Sequence, residues 1–421
     1  LTDSVGELYT FPNGEHMTSK TRLSFFLASI GAALAVAAFL VWVLGLEGSR
    51  GLGAWGWNRI YIAIAAAGAL PLVLSLVTLF WRKTEMAKPA TVIGIVALVL
   101  SVIVSAGVLV TWGEIVTRAH KVSRPIPALN LVDPSKGILP AGPADESGQQ
   151  VLRISLSSDP HWSADTANAE ARSAILRAIY REEPRRDAFF MLGDNVQMGL
   201  NDAEWKAEAL ELSSELGNLP IRPLLGNHDA IIDGQYHYKA YFFPPRLSSD
   251  SGSPYYYSID AGPAVIVVLD LLWGAEEFGA KQRDWLEKTL AAIPADKRVI
   301  VLSHCFFASS GYMDGPYPWY DHEGMLTQVA PILERHKVDL VVQGHNHYME
   351  LLERNGVTYA TIGVMGGKPD PEPTHVSPWS KWFLQGSYGW LDLDVTKKGI
   401  TLNFRDTTTA VVHSAYVPAT R

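Results

Sequence analysis

Cysteine is almost absent. Cys305 is the only one in 421 residues, which excludes an intrachain disulfide framework and leaves the redox compartment open. Charge is sparse too: 19% of residues are charged against 48% hydrophobic, a balance that fits a globular protein carrying membrane segments. The 43 acidic residues outnumber the 35 Lys and Arg for a net charge of -8, and the second half holds no basic tract, so no nucleic-acid partner is expected. No internal repeat is present.

Charge is missing altogether from three long apolar stretches, 25–46, 60–80 and 90–112. Each is near the roughly 20 residues that a bilayer requires of a helix. They predict a three-helix transmembrane region over 17–114, with Trp42, Trp81 and Trp112 as interfacial anchors and a kink at Pro71. Arg82, Lys83 and Lys88, between the second and third stretches, are the densest basic cluster. They point to an N-terminus inside, and hence to an integral membrane protein whose C-terminal domain is extracytoplasmic. Residues 1–16 precede Met17 and read as an expression remnant. The stretch 115–150, rich in Pro, Gly and Ser, reads as a linker, and 151–421 as a separate folded domain.

Within 151–421, apolar strand-like runs alternate with helical spacing: strands at Val151–Ser157, Ala188–Leu192, Ile221–Leu225, Arg298–Ser303 and Leu340–Gln343, and helices at 165–181, 202–214, 281–293 and 325–336. A hairpin is expected at 255–269, and β structure with Gly turns follows 349. The expected fold is an α/β sandwich of two mixed β-sheets flanked by helices.

Five polar blocks follow the five strands: Asp159-Pro160-His161, Gly193-Asp194-Asn195, Gly226-Asn227-His228-Asp229, Ser303-His304 and Gly344-His345-Asn346-His347. Strand ends are where an open sheet presents its ligands. Carboxylates, imidazoles and an amide form a hard-to-intermediate donor set suited to manganese, iron or zinc. Two such divalent metal ions would neutralise phosphoryl oxygens and make hydroxide at neutral pH.

In this order the blocks resemble the metallophosphoesterase, or calcineurin-like phosphoesterase, superfamily over about Val151 to Val417. The resemblance implies that Asp159, His161 and His347 bind one metal and Asn227, His304 and His345 the other, with Asp194 bridging. It makes His228 the proton donor or transition-state stabiliser, held by Asp229, and Asn195 a phosphate contact. Gly193-Asp194-Asn195-Val196 and Gln282-Arg283-Asp284-Trp285-Leu286 are further similar to tartrate-resistant and purple acid phosphatases. Two positions depart from that branch: Gln197 stands where it carries a Tyr ligand, and His161 where it has no His. The resemblance therefore implies no tyrosinate-iron colour, and a site nearer the generic branch that includes cyclic-nucleotide phosphodiesterases.

Outside the blocks, an aromatic insertion between Phe306 and Glu323 follows His304, and His322 within it is a candidate substrate contact. Arg222 and Lys368 read as solvated cations, and Cys305 as a small buried hydrophobe. The expected protein is a membrane-anchored dimetal phosphoesterase that hydrolyses a phosphorylated small molecule or lipid, an ester or pyrophosphate. The alternatives are a phosphomonoesterase or cyclic-nucleotide phosphodiesterase acting on soluble substrates, and a non-catalytic membrane receptor or scaffold that retains the metal site.

Overall fold

The structure, a computed structural model, describes residues 120–420 continuously and only scattered positions before them, between Phe26 and Thr117. The chain divides into two compact units, Leu1–Thr117 and Arg118–Arg421, and every element named below belongs to the second.

The expected three-helix transmembrane region, and with it the integral-membrane placement, is corrected: among the described residues no helix is long and apolar enough to cross a membrane. A span needs about 20 residues in one continuous helix. The stretches 25–46, 60–80 and 90–112 lie almost wholly outside the described residues, as do residues 1–16.

In chain order the second unit runs β1 (Leu152–Ser157), α1 (Ala169–Arg181), β2 (Ala188–Met191), α2 (Asp202–Leu216), β3 (Ile221–Pro223) and α3 (Gln235–Phe242). The hairpin β4 (Tyr257–Ala261) and β5 (Ala264–Val268) follows, then α4 (Ala280–Ala292) and β6 (Arg298–Ser303). A small hairpin, β7 (Tyr312–Asp314) and β8 (Tyr317–Trp319), precedes a π-helical turn (Met325–Val329) that continues into α5 (Ala330–Arg335). The chain closes with β9 (Leu340–Gln343), β10 (Met349–Arg354), β11 (Val357–Ile362), β12 (Ser380–Leu384), β13 (Gly389–Thr396), β14 (Gly399–Asp406) and β15 (Val411–Pro418).

Two mixed sheets form. One has six strands in the order β15-β14-β13-β1-β2-β3, the other seven in the order β12-β10-β11-β9-β6-β5-β4. The strands β1, β2 and β3 are parallel, as are β5, β6, β9 and β11. Their side chains divide by parity, as a period of two requires. Ile300 and Leu302 of β6 join Ile154, Leu156, Phe190 and Leu391 in the core between the sheets. Val299 and Val301 join Leu286, Leu290 and Leu333 of α4 and α5 on the outer face. Strands covered on both faces carry unbroken apolar runs instead of alternating ones.

Helix starts are set locally. The Asn168 side chain accepts the Ala171 N–H at the head of α1, and Asn201 accepts the Ala203 N–H at the head of α2. Residues 118–150, expected as a linker, belong to the same compact unit. Leu131 bridges Ile221, and the Val132 N–H donates to the Ile221 carbonyl.

Register brings the strand ends level. Ser157 pairs with Met191 and Met191 with Pro223 in one sheet, while Ser303 pairs with Gln343 in the other. All five polar blocks therefore leave their strands at the same edge of the sandwich.

Candidate metal centre

Three of the five blocks turn sharply as they leave their strands. Asp159, His161, Asp194 and His345 all have positive φ, at 54°, 44°, 49° and 69°. Such backbone is costly for residues bearing a Cβ and clusters at functional sites. The glycines in the blocks permit close approach: a Cβ on Gly226 would overlap the backbone nitrogen of Asp194, and one on Gly344 the Ser158 hydroxyl.

The side chains converge in overlapping groups whose ligand-type atoms lie within 4.8 Å of one another: Asp159, His161 and His347; His161, Asp194 and His228; and Asp194, His304 and His345. Asp194 stands between the halves, with Oδ2 3.7 Å from His161 Nε2 and Oδ1 3.3 Å from His304 Nε2. On one side, Asp159 Oδ1 lies 3.4 Å from His347 Nε2 and 3.8 Å from His161 Nε2. On the other, His304 Nε2 is 2.8 Å from Asn227 Oδ1 and 3.1 Å from His345 Nδ1.

Tautomers follow from the outer partners. Nδ1 of His161 faces Gln197 Oε1 at 3.0 Å, that of His228 the Gln197 carbonyl at 2.9 Å, that of His304 the Leu192 carbonyl at 2.8 Å and that of His347 the Lys368 carbonyl at 2.5 Å. A carbonyl oxygen only accepts, so each Nδ1 carries the proton and donates it, and each Nε2 faces the cluster. His345 is reversed, with Nδ1 facing inward.

The carboxylates divide their labour. Asp159 Oδ2 accepts the His345 N–H at 3.0 Å, a tie between the two sheets, and Asp194 Oδ1 accepts the His228 N–H at 2.8 Å. Asp159 Oδ1 and His161 Nε2 are buried without a hydrogen-bond partner among the described residues. Buried polar atoms are normally partnered. Two carboxylates and several inward lone pairs in one buried cluster are the donor set of divalent transition cations, so the residues fit the pair of metal ions that the sequence implies.

Electrostatics divides the histidines. Burial, followed by the neighbouring His228 charge, pushes His161 down to about 4, and burial with the His304 charge holds His345 well below the usual imidazole range. Burial would lower His347 too, but the Asp159 carboxylate, 3.4 Å from its Nε2, lifts it to about 10. Burial would raise both Asp159 and Asp194, yet the surrounding imidazoles keep both below the ordinary carboxylate range.

Three expected contacts lie elsewhere. Asp229 does not touch the His228 ring; it turns inward to accept the Gly226 and Val196 N–H groups and the Asn195 amide. Asn195 is fully buried, and its amide also donates to the Leu224 carbonyl, so it braces the loop from behind. His322 stands outside the cluster, with Nε2 3.0 Å from the Trp273 carbonyl.

Arg222, expected in solvent, is a buried core cation donating to the carbonyls of Val132 and Phe242 and lying over the Phe243 ring. The Lys368 residue is exposed, while its carbonyl serves His347. Cys305 is buried, and burial pushes its thiol well up. Gln197 is the residue that sequence reasoning undervalued: one side chain and one carbonyl hold two imidazoles. The signal was its position, where the purple branch has a ligand.

An α/β sandwich with a His/Asp cluster at its strand ends defines the class of metallohydrolases. Residues 152–349 match the calcineurin-like phosphoesterase family model. The chain is 25% identical over 263 residues to the tartrate-resistant acid phosphatase type 5 of Sus scrofa, covering 54% of this chain and 71% of that protein. It is 30% identical over 177 residues to a purple acid phosphatase of Glycine max, covering 37% of each. A purple acid phosphatase structure from yellow lupin (Lupinus luteus) seeds superposes with a TM-score of 0.54 at 17% identity, covering 66% of this chain and 56% of that one, and shows the shared fold. The chain thus spans most of the pig enzyme but well under half of the soybean protein. Residues 152–349 thus resemble the metallophosphoesterase superfamily, with acid phosphatase similarity, and the enzyme class of these relatives is metal-dependent phosphoester hydrolase. Enzymes of this kind use two divalent metal ions, iron, manganese or zinc.

Proposed function

We propose that the domain hydrolyses a phosphomonoester, with Asp159, His161 and His347 holding one divalent ion, Asn227, His304 and His345 the other, and Asp194 shared between them. The observation that carries this reading is the position of Asp194, whose two oxygens face different groups, 3.7 Å from His161 and 3.3 Å from His304. When bound, two such cations supply positive charge for the phosphoryl oxygens and make water more acidic.

The chain's own contribution is orientation and proton transfer. The His228 side chain is 23% exposed, against 8% for His161, 14% for His347 and 1% for His304, and so reaches furthest toward solvent. Its Nδ1–H is anchored on the Gln197 carbonyl, so in the doubly protonated ring the Nε2–H faces the site and can pass to the departing oxygen. In the overall step an oxygen from water bonds to phosphorus, the bond from phosphorus to the leaving oxygen breaks, and that oxygen takes the proton. Asp229 and Asn195 fix the turn that presents His228 and do not touch substrate.

Similarity to acid phosphatases supports the monoester reading. His161 and Gln197, the two departures from the purple pattern, favour a diester as the second reading. A panel of monoester, diester, pyrophosphate and lipid phosphate with added manganese, iron or zinc distinguishes them. His228→Ala should retain two ions and lose rate by about 10²–10⁴-fold. Full activity in Asp194→Asn would sink the assignment, and bound metal with no turnover on any ester would favour a non-catalytic role.

A further inference from the structure

Three aromatic rings surround the His345 imidazole. Trp319, Trp273 and Phe306 have ring centroids 4.7, 5.5 and 5.8 Å from it, and the two tryptophans meet edge to face at 6.4 Å. Phe306 is buried, whereas both tryptophans are only half-buried. A ring that touches a cluster histidine on one side and water on the other forms part of the wall between them.

The wall is fixed rather than loose. Trp319 pairs with Tyr312 across the β7–β8 hairpin, and its carbonyl accepts the Asn346 amide at 3.4 Å. The Tyr312 hydroxyl donates to Asp370 Oδ1 at 3.2 Å, and Asp370 Oδ2 accepts the His347 N–H at 2.8 Å. His322 secures the other member through the Trp273 carbonyl. Trp162, Trp205 and Trp390 each spend their indole N–H on an internal acceptor. Those of Trp273 and Trp319 have no such partner among the described residues, and neither is a buried unpartnered atom.

We infer that Trp273 and Trp319 form a subsite for a planar aromatic group carried by the substrate. Two indoles offer stacking area and N–H donors but no charge, which suits a ring with peripheral acceptors. The inference rests on the hydrolase reading and narrows it: aryl or nucleobase-bearing phosphates are preferred over alkyl phosphates.

The test uses the full chain supplied with manganese, and measures binding of phenylphosphonate and methylphosphonate beside hydrolysis of phenyl phosphate, a nucleoside 5′-monophosphate and glycerol phosphate. The wild-type protein should bind phenylphosphonate about tenfold more tightly than methylphosphonate. Trp273→Ala and Trp319→Ala should each weaken phenylphosphonate by about three- to tenfold, raise KM for the ring-bearing esters by a similar factor and move methylphosphonate less than about twofold. Trp319→Phe should restore most of the loss. Should an alanine variant fail to fold, quenching of tryptophan fluorescence by phenylphosphonate, strong in the wild type and reduced in Trp319→Phe, supplies the readout. Equal weakening of both phosphonates, or no preference in the wild type, overturns the inference. Preference for the aryl ester over the nucleotide, or the reverse, identifies which ring the subsite takes. Phosphate release from none of the esters would count against the hydrolase reading instead, with the phosphonate ratio still deciding the subsite.

Discussion

The two halves of the proposed metal site are built on different supports. Asp159, His161 and His347 rest on adjustable contacts: His161 is oriented by the Gln197 side chain, and His347 by the carbonyl of the exposed residue Lys368. Asn227, His304 and His345 rest on packing and backbone, with His304 anchored on the Leu192 carbonyl at 1% side-chain exposure and His345 walled by aromatic rings. The Gln197 side chain changes with one substitution, whereas the Leu192 carbonyl moves only with β2. The two departures from the purple phosphatase pattern, His161 and Gln197, touch each other at 3.0 Å, and both lie in the adjustable half.

The comparison is broken most severely at its shared member. Asp194→Asn should release both ions and lower kcat/KM by roughly 10⁴-fold, read by elemental analysis and phosphate release. Next, His304→Ala and His161→Ala should separate the halves. Each should lose one ion by elemental analysis, and His304→Ala should also unfold at a lower temperature, because a buried imidazole leaves a cavity at the meeting point of the sheets. Loss of both ions in His161→Ala would show that the halves are not independent. A smaller effect is expected for Gln197→Leu, which removes the support of His161 and should weaken one ion by about 10–100-fold while leaving the other.

The smallest effect concerns the region behind the cluster. Glu208 of α2 is buried, both its oxygens lack a hydrogen-bond partner among the described residues, and burial followed by the Asp229 charge holds its carboxyl well above 4.5. Between 4.5 and that raised value the folded chain binds more protons than the unfolded one, so the contribution of Glu208 to stability falls as pH rises through that window. Glu208→Gln should therefore raise the melting temperature by about 2–4 °C at pH 8 for each kcal/mol recovered, and change it little at pH 4. An equal gain at both pH values would place the effect in packing rather than in charge.

Much of the domain was legible beforehand. Strands at Arg298–Ser303, Leu340–Gln343, Met349–Arg354 and Val357–Ile362 fall where the apolar runs end in Gly, Asn or His. Apolar runs buried on two faces have no other stable use in a chain of this size. Short elements that depend on tertiary partners were not legible. The α3 helix is eight residues long and its buried face includes His237, which interrupts the apolar pattern, and β7–β8 is a hairpin of aromatic residues whose order comes from Asp370 and Asn346. The expected spans show the opposite failing: apolar length was read as a helix across a bilayer, and the described residues contain none.

By itself the sequence determined which residue types stand at the strand ends, because strand parity and the turn after each apolar run are local properties. Only the tertiary structure decided which nitrogen of each imidazole faces inward, that Asp229 and Asn195 brace a loop, and that Gln197 serves two histidines. Those outcomes depend on carbonyls contributed by residues far away in the chain, whose positions are fixed by the packing of one sheet against the other.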